Sequence, residues 1–313
     1  MRFGFQVYPW DRWPRIADIA AVATLAEQCG FDAVAIPDHI IAPENADGRA
    51  PLGPVWPDPF LVASHIAAHT TTMKLLLYAA VIPYRPVLLQ AKAIATLDQL
   101  SDGRLIVVAG SGWCADEFDR LGLDFRQRGP LTDEYLQAMI ALWTEERPSF
   151  DGKYAQFDSV QFAPRCAQTP HVPIWVAGSG KRPLERLIAY GAGWAPMAGQ
   201  LPELASAIAA IKRALTDEGR DTDAVEFSFG LTYGEPDRSV TRALGHVNNA
   251  HVQTTAATTQ QTIESIAAHE AAGFTSLILN TAWETPADLC RRIEWFAGNV
   301  MPHFPDDART PSG

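Results

Sequence analysis

Eight short apolar runs alternate with amphipathic helical stretches along the whole chain, and this alternation constrains the fold more than any other feature. The runs are continuously apolar, which is typical of strands in a parallel sheet that is buried on both faces. Repeated strand–helix units of this kind predict an α/β protein folded as a single (β/α)8 TIM barrel. The predicted strands comprise residues 2–7, 33–37, 74–82, 104–109, 173–177, 193–197, 225–231 and 276–280.

A doubly wound open sheet is the alternative arrangement of the same elements. Such a sheet would carry a glycine-rich fingerprint directly after its first strand, whereas the first predicted strand here continues into Tyr8-Pro9-Trp10. Aromatic, glycine and aspartate residues interrupt the alternation at 150–164, which predicts a small hairpin insertion around 147–172. We therefore expect one barrel domain over 1–304, followed by a flexible C-terminal tail at 305–313.

The charge of the chain argues against two classes of partner. The net charge is -11 over 313 residues, whereas nucleic acids and anionic membranes attract basic proteins. No stretch approaches the roughly 20 apolar residues of a transmembrane helix, and the sequence does not open with the pattern of a signal peptide. The four cysteines lie far apart without metal-ligand spacing. We expect a cytoplasmic protein that uses no metal and binds neither nucleic acid nor membrane.

The carboxyl ends of the strands carry the functional residues of a barrel. Two predicted strands end in glycine-rich turns and others end in aromatic residues, a combination that suits a flat heterocycle with polar edges. Backbone N–H groups at the start of a helix, next to a cation, bind phosphate well. Gly178-Ser179-Gly180-Lys181 therefore predicts a phosphate site, and a simple tight turn is the alternative interpretation.

Asp38-His39 follows the second predicted strand and is the best candidate for acid–base chemistry. Histidine titrates near neutral pH and can donate or accept a proton. The alternative interpretation is a helix-capping aspartate beside a structural histidine. Three carboxylates that follow the fourth predicted strand, Asp116, Glu117 and Asp119, are expected to form a solvated first helical turn, where acidic side chains suit the helix dipole.

Several spaced motifs occur together in a characteristic order. They are Asp38-His39, Ala95-Thr96-Leu97-Asp98, Gly110-Ser111-Gly112-Trp113, Glu117-Phe118, Arg128-Gly129 and the run 173–180. With these motifs the chain resembles the bacterial-luciferase-like monooxygenase superfamily over about residues 3–296. Within that superfamily it is most similar to the branch that uses the deazaflavin coenzyme F-420.

The resemblance implies a barrel that binds a flavin or deazaflavin at the carboxyl ends of its strands. It implies that His39 exchanges a proton with the substrate, that Asp38 shapes the pocket, and that the Tyr78-Ala79 peptide is cis. Two departures from the usual pattern occur: Leu76-Leu77 replaces Gly-Thr, and Trp113 stands where some sugar-phosphate dehydrogenases of the branch have glutamate. The expected cofactor-binding residues are Tyr78, Ala79, Gly110, Gly112, Trp113, Gly178, Ser179, Gly180 and Lys181.

Three functions are compatible with these patterns. The first is a deazaflavin-dependent oxidoreductase that passes hydride between C5 of coenzyme F-420 and a small organic substrate. The second is an FMN-dependent two-component monooxygenase, which uses dioxygen and a partner flavin reductase. The third is a non-catalytic binding protein with the same fold. The loop at 40–59, with Trp56, and the cluster Tyr8, Trp10 and Trp13 are expected to roof the pocket over an apolar or cyclic substrate. The resemblance also implies a homodimer.

Overall fold

Eight parallel strands close into a barrel in the computed structural model, which describes residues 1–42, 53–233, 254–255 and 258–305. Neighbouring strands follow the order β1-β2-β3-β4-β7-β8-β9-β11, and β11 pairs with β1. The barrel strands are β1 (Arg2–Gln6), β2 (Ala33–Ile36), β3 (Lys74–Val81), β4 (Leu105–Gly110), β7 (Ile174–Ala177), β8 (Gly193–Ala195), β9 (Glu226–Tyr233) and β11 (Ser276–Thr281). The pairing of β8 with β9 completes the circle, so the TIM-barrel prediction is confirmed and the open-sheet alternative is wrong.

Helices pack around the barrel and connect successive strands. They are α1 (Ile19–Gln28), α2 (Pro59–Ala67), α3 (Val87–Leu100), α4 (Ala115–Arg120), α5 (Arg128–Thr144), α6 (Lys181–Tyr190), α7 (Leu201–Asp217), α8 (Thr259–Ala271) and α9 (Pro286–Asn299). Side chains just before three of them accept backbone N–H groups of the first turn: Asp58 before α2, Thr258 before α8 and Thr285 before α9. Such caps satisfy amides that have no partner within the helix.

The predicted hairpin insertion is present as an antiparallel pair, β5 (Phe150–Asp151) and β6 (Gln156–Phe157). The Glu134 carboxylate of α5 accepts the backbone N–H groups of Lys153, Tyr154 and Ala155, which fastens the hairpin turn to that helix. A further short strand, β10 (Thr254–Thr255), extends the sheet beside β9.

Apolar side chains pack against both faces of the barrel sheet. A large cluster fills the space between the sheet and the helices. The barrel interior is filled by a small cluster: Ala33, Ala35, Leu76, Tyr78, Val108, Trp175, Ala195 and Ile278. Because the interior is packed with side chains, a ligand has room only beyond the strand ends.

Two sequence predictions concern the limits of the chain's structure. Residues 306–313 of the predicted tail lie outside the described residues, so that boundary stays a prediction. Among the described residues, none of the helices combines the length and apolar character needed to cross a membrane.

Candidate active site

A cavity of about 760 Å³ opens at the carboxyl ends of the barrel strands. Its volume falls within the range of about 300–1,000 Å³ that is common for small-molecule sites. Nine of the eleven sequence-predicted site residues line it: Asp38, His39, Tyr78, Ala79, Gly110, Gly112, Trp113, Gly178 and Ser179. The topology therefore brings together residues from four different strand ends that are up to 141 positions apart, since Asp38 and Ser179 share one cavity.

Gly180 and Lys181 are not among the residues that line this cavity. The Lys181 side chain is 90% exposed, and its ammonium group lies 3.7 Å from Glu185 on the same helix. Arg182, one position further along α6, lines the cavity instead. Cofactor binding by Gly180 and Lys181 stays a prediction, and Arg182 is the better-placed cation.

The peptide bond between Tyr78 and Ala79 is cis, as the resemblance implies. The pairing of β3 with β4 skips Ala79, so the strand bulges at this point. Asp38 supports the segment that follows: its carboxylate accepts the Val81 N–H at 3.0 Å. The same carboxylate accepts two hydrogen bonds from the Arg85 guanidinium, at 2.8 and 2.9 Å. Asp38 is thus a buried, ion-paired residue with the contacts of a positioning group, and it caps no helix.

His39 is joined to a carboxylate that the sequence analysis assigned to the surface. Glu117 of α4 is completely buried, and its Oε2 lies 2.8 Å from the His39 Nδ1. The Tyr84 hydroxyl donates to Oε2 at 2.7 Å, and the Ile40 N–H donates to Oε1 at 2.6 Å. The prediction of a solvated turn is wrong for Glu117, whereas Asp116 and Asp119 are exposed as expected.

The electrostatics of this cluster keep Glu117 ionised. Burial raises its pKa, but the hydrogen bond and charge of His39, together with Tyr84 and the Ile40 amide, outweigh burial and hold the pKa below its ordinary value. Burial and the bond to Glu117 raise the pKa of the Tyr84 hydroxyl, so that group remains a donor. Because the ionised carboxylate accepts the proton of Nδ1, Nε2 is the ring nitrogen of His39 that is left to exchange a proton with a ligand.

Aromatic side chains surround His39 within the cavity. The Trp56 ring centroid lies 4.5 Å from that of His39, and the Trp113 centroid lies 5.5 Å away. Tyr8 stacks on Trp56 at 5.2 Å. The expectation that Tyr8 and Trp56 border the pocket is therefore confirmed. Trp10 and Trp13 are core residues, 1% and 6% exposed, so the prediction that they roof the pocket is wrong.

Four arginine side chains line the cavity as well: Arg126, Arg128, Arg182 and Arg186. Arg186 donates to Asp133 at 2.6 Å, to the Ser111 hydroxyl at 3.1 Å and to the Gly129 carbonyl at 3.1 Å. These bonds connect the segment after β4 with α5 and α6. The Gly178-Ser179 turn lies directly before α6, so backbone N–H groups and guanidinium groups converge on one region.

The residues present fit a flavin-type group with a phosphate. Gly178 has a φ of +89°, a conformation that glycine adopts readily and that lets a ligand approach the backbone. At Gly110 a Cβ atom would stand 3.2 Å from the Cβ of Ala79, so glycine leaves space along the bulged strand. The arginines and the start of α6 supply the positive charge and donors that a phosphate requires.

The sequence analysis did not assign four of these residues to the site: Glu117, Arg126, Arg128 and Arg186. Glu117 and Arg128 belong to the motifs Glu117-Phe118 and Arg128-Gly129. Neither motif indicates which side chains these residues contact in the folded protein. Their partners lie far away along the chain: 78 positions separate His39 from Glu117, and 53 separate Asp133 from Arg186.

Residues 4–234 match the family of luciferase-like monooxygenases. The match covers well over half of the chain, and the chain belongs to this family. It is therefore a luciferase-like oxidoreductase, and the prediction that it is an enzyme is confirmed.

Proteins of similar sequence include an uncharacterized protein and an FMNH(2)-dependent monooxygenase. Rv0953c of Mycobacterium tuberculosis is 34% identical over 206 residues, which cover 62% of this chain and 71% of that protein. The FMNH(2)-dependent dimethylsulfone monooxygenase of Pseudomonas putida is 31% identical over 165 residues, which cover 51% of this chain and 43% of that protein.

Two solved structures show the same fold at low sequence identity. The monooxygenase RslO1 from Streptomyces bottropensis has a TM-score of 0.81 at 22% identity, covering 97% of this chain and 100% of that chain. The coenzyme F-420-dependent tetrahydromethanopterin reductase from Methanopyrus kandleri has a TM-score of 0.78 at 18% identity, covering 97% and 99% of the two chains.

Proposed function

We propose that this protein is a coenzyme F-420-dependent oxidoreductase that acts on a small organic substrate, with His39 as the group that exchanges a proton. The observation that carries this proposal is the His39–Glu117 pair, in which a buried ionised carboxylate fixes one ring nitrogen of a cavity-lining histidine. Hydride transfer to or from a carbon–oxygen bond needs a proton acceptor or donor at the oxygen, and this pair supplies one.

Two groups of residues would hold the cofactor. Gly178, Ser179 and Arg182 would bind its phosphate, and the bulged strand at Tyr78-Ala79, with Gly110, would border its ring. When bound, a deazaflavin supplies a ring carbon that accepts or donates a hydride.

The protein's own contribution is to move and control the proton. When an alcohol is oxidised, Nε2 of His39 would take the hydroxyl proton, and when a carbonyl is reduced it would return one. Glu117 stabilises the positive imidazolium that forms, because its carboxylate is ionised and 2.8 Å from Nδ1. Trp56 and Trp113 flank the ring and limit the access of water. Lower water content strengthens the interaction of His39 with Glu117.

An FMN-dependent monooxygenase is the second candidate. The name of the Pseudomonas putida relative favours it, since that enzyme is FMNH(2)-dependent. In that case the phosphate of FMN would occupy the same turn at Gly178-Ser179, and a separate reductase would supply the reduced flavin.

Cofactor titration separates the two candidates. Purified apoprotein is titrated with coenzyme F-420 and, in parallel, with FMN, and binding is followed by fluorescence. We expect tighter binding of the deazaflavin. Tighter binding of FMN, together with substrate-dependent dioxygen uptake in the presence of reduced FMN, would replace the first proposal with the second.

A further inference from the structure

Arg85 is not among the residues that line the cavity, yet it holds two segments that border it. We propose that Arg85 is a positioning residue that fixes Trp56 against His39 and thereby determines which substrates fit beside the histidine. This inference rests on the proposed function, because it concerns the specificity of the same reaction. Arg85 acts through two carboxylates and contacts neither substrate nor cofactor.

The Arg85 guanidinium bridges two carboxylates from different parts of the chain. It donates to both oxygens of Asp38, at 2.8 and 2.9 Å, and to Asp58 at 3.2 Å. The Asp38 side chain is fully buried, whereas that of Asp58 is 40% exposed. A guanidinium carries its N–H donors in a rigid planar fork, so one arginine side chain holds both carboxylates in a defined geometry.

Each of the two carboxylates belongs to a segment that carries a cavity residue. Asp38 directly precedes His39. Asp58 stands two positions after Trp56, and its other oxygen accepts backbone N–H groups in the first turn of α2. The ring centroids of Trp56 and His39 are 4.5 Å apart. A shift of either segment therefore changes the space beside the histidine.

Further contacts fix the position of Arg85 itself. Its guanidinium carbon lies 4.8 Å from the centroid of the Phe60 ring, in the first turn of α2. The preceding residue, Tyr84, donates to Glu117, which is the carboxylate that orients His39. The segment that follows β3 thus holds both the histidine and the start of α2.

The two ends of the bridge differ in what their loss would do. Burial lowers the pKa of Arg85, but the hydrogen bonds and charges of Asp38 and Asp58 outweigh burial and raise it, so the guanidinium stays ionised. Removing Arg85 would leave the buried Asp38 carboxylate without its ion-pair partner, which is strongly destabilising. The exposed end of the bridge, at Asp58, can be changed without that cost.

The test therefore opens the bridge at Asp58. Asp58→Asn removes the charge that faces Arg85 and keeps a side-chain oxygen for the cap of α2, since asparagine caps helices as well as aspartate does. Arg85→Lys is a second variant that keeps the charge and loses the planar fork. Asp18→Asn is the matched control, because Asp18 is also 40% exposed and pairs with an arginine, Arg15, at 3.5 Å.

Two measurements are made on each protein. Fluorine NMR of protein labelled with 5-fluorotryptophan reports the surroundings of Trp56 whatever ligand the site binds, and Trp56→Phe identifies its signal among the nine tryptophans. Steady-state kinetics with coenzyme F-420 compare cyclohexanol with 2-propanol. A ring-shaped alcohol whose hydroxyl meets His39 buries more apolar surface against Trp56 than 2-propanol does.

We expect the Trp56 signal to shift in Asp58→Asn and in Arg85→Lys and to stay unchanged in the control. The ratio of kcat/KM for cyclohexanol to that for 2-propanol should fall about tenfold in both variants, which is typical of a hydrophobic pocket that no longer fits its substrate. The loss should lie in the KM for cyclohexanol. The affinity of Asp58→Asn for coenzyme F-420 should remain within about twofold of the wild-type value.

Two results would overturn the inference and leave the proposed function standing. The first is an unchanged Trp56 signal in both variants. The second is a shifted signal with an unchanged ratio of kcat/KM, which would reduce the bridge to a purely structural role. Absence of turnover of either alcohol by the wild-type protein with coenzyme F-420 would instead count against the proposed function, and the Trp56 signal would still show whether Arg85 fixes Trp56.

Discussion

Glu117 is the single residue on which the orientation of His39 depends most. We expect Glu117→Gln to lower kcat about 10- to 100-fold, since the loss of an orienting second partner typically costs that much. The affinity for the deazaflavin should stay the same, because Glu117 contacts His39, Tyr84 and the chain at Ile40. Stopped-flow measurement of deazaflavin absorbance with an alcohol substrate, combined with the fluorescence titration, checks both parts.

Four variants serve as references for this prediction. His39→Ala should lose about 10²- to 10⁴-fold in kcat as the proton-exchanging group, and adding Glu117→Gln to it should cost little more. Glu117→Asp should recover part of the activity. Glu185→Gln, which changes an exposed carboxylate on α6, should behave as wild type. A normal kcat in Glu117→Gln would refute the positioning role.

Arg182 and Lys181 offer a second comparison at the residue scale. Arg182→Ala should weaken binding of phosphate-bearing deazaflavin about tenfold, because a hydrogen bond to a charged group contributes roughly 1.5–3 kcal/mol. Lys181→Ala should change the affinity less than about twofold, since the Lys181 side chain is 90% exposed. Isothermal titration of each variant measures the effect. A larger loss of affinity in Lys181→Ala than in Arg182→Ala would instead support the sequence prediction that Lys181 binds the cofactor.

The sequence analysis identified the site residues that belong to local sequence motifs. Asp38-His39 and the two glycine turns stand directly after apolar runs, so their position at strand ends followed from the pattern. Glu117 looks like any acidic residue in a first helical turn, where exposure is the usual state. Its burial arises from partners on β2's loop and on the segment after β3, which come near α4 only in the folded barrel.

At the scale of elements, the alternation of apolar runs and helical stretches predicts that helices lie between the strands, and capping residues mark the starts of only some of them. The Thr258 side chain accepts the Gln261 N–H at the start of α8, whereas no side-chain cap precedes α7. The first helical segment begins as a 3-10 turn, Ile16–Asp18, before α1. The strand Thr254–Thr255 is too short to show any periodicity, so no sequence pattern could predict it.

The start of α9 provides an element-scale test of stability. The Thr285 hydroxyl accepts the Asp288 N–H at 3.2 Å, and the Asp288 carboxylate accepts the Glu284 N–H at 3.0 Å. We expect Thr285→Ala to lower the free energy of unfolding by about 1 kcal/mol, as is usual for the loss of a helix cap. Thr285→Ser should retain most of the stability. Urea denaturation followed by circular dichroism measures both, and equal midpoints for the alanine and serine variants would contradict the prediction.

The buried side chain of His269, on α8, makes the stability of the protein depend on pH. It is 1% exposed, and its ring stacks on Phe229 at a centroid distance of 5.7 Å. Burial lowers its pKa below the ordinary value of 6.5. Because the folded pKa lies below the unfolded one, this contribution to stability is complete above about pH 6.5 and is lost as the pH falls toward the folded pKa.

The expected result is a fall in the free energy of unfolding between pH 7 and pH 5.5, with a slope of at most about 1.4 kcal/mol per pH unit from this group. His269→Phe keeps an aromatic ring against Phe229 and removes the titration, so its slope should be smaller. His303→Gln, at an exposed position in the 3-10 turn Met301–His303, is the matched control. Identical slopes in wild type and His269→Phe would show that another group is responsible.

For the whole molecule, the order of strands and helices was sufficient to predict the barrel. Eight apolar runs joined by helices have few closed arrangements available, since parallel strands must be connected across the sheet by helices. The packing inside the barrel could not be predicted in the same way. Which large residue faces which small one depends on strand register, and the pairing of Trp175 with Gly193 exists only once β7 and β8 are aligned.

The final prediction concerns the barrel interior. Substitutions at Trp175 and Gly193 should have coupled effects on the free energy of unfolding. A Cβ atom added at Gly193 would stand 2.5 Å from Cδ1 of Trp175, so Gly193→Ala forces the indole to shift. We expect it to cost about 1–3 kcal/mol of unfolding free energy. In a Trp175→Leu background, itself destabilised by about 3 kcal/mol through the cavity it leaves, the same alanine should cost much less. Gly298→Ala, which meets no atom within 4 Å, is the control. Urea denaturation of wild type, the two single variants and the double variant measures the coupling. If the two costs in unfolding free energy are strictly additive, Trp175 and Gly193 do not pack against each other.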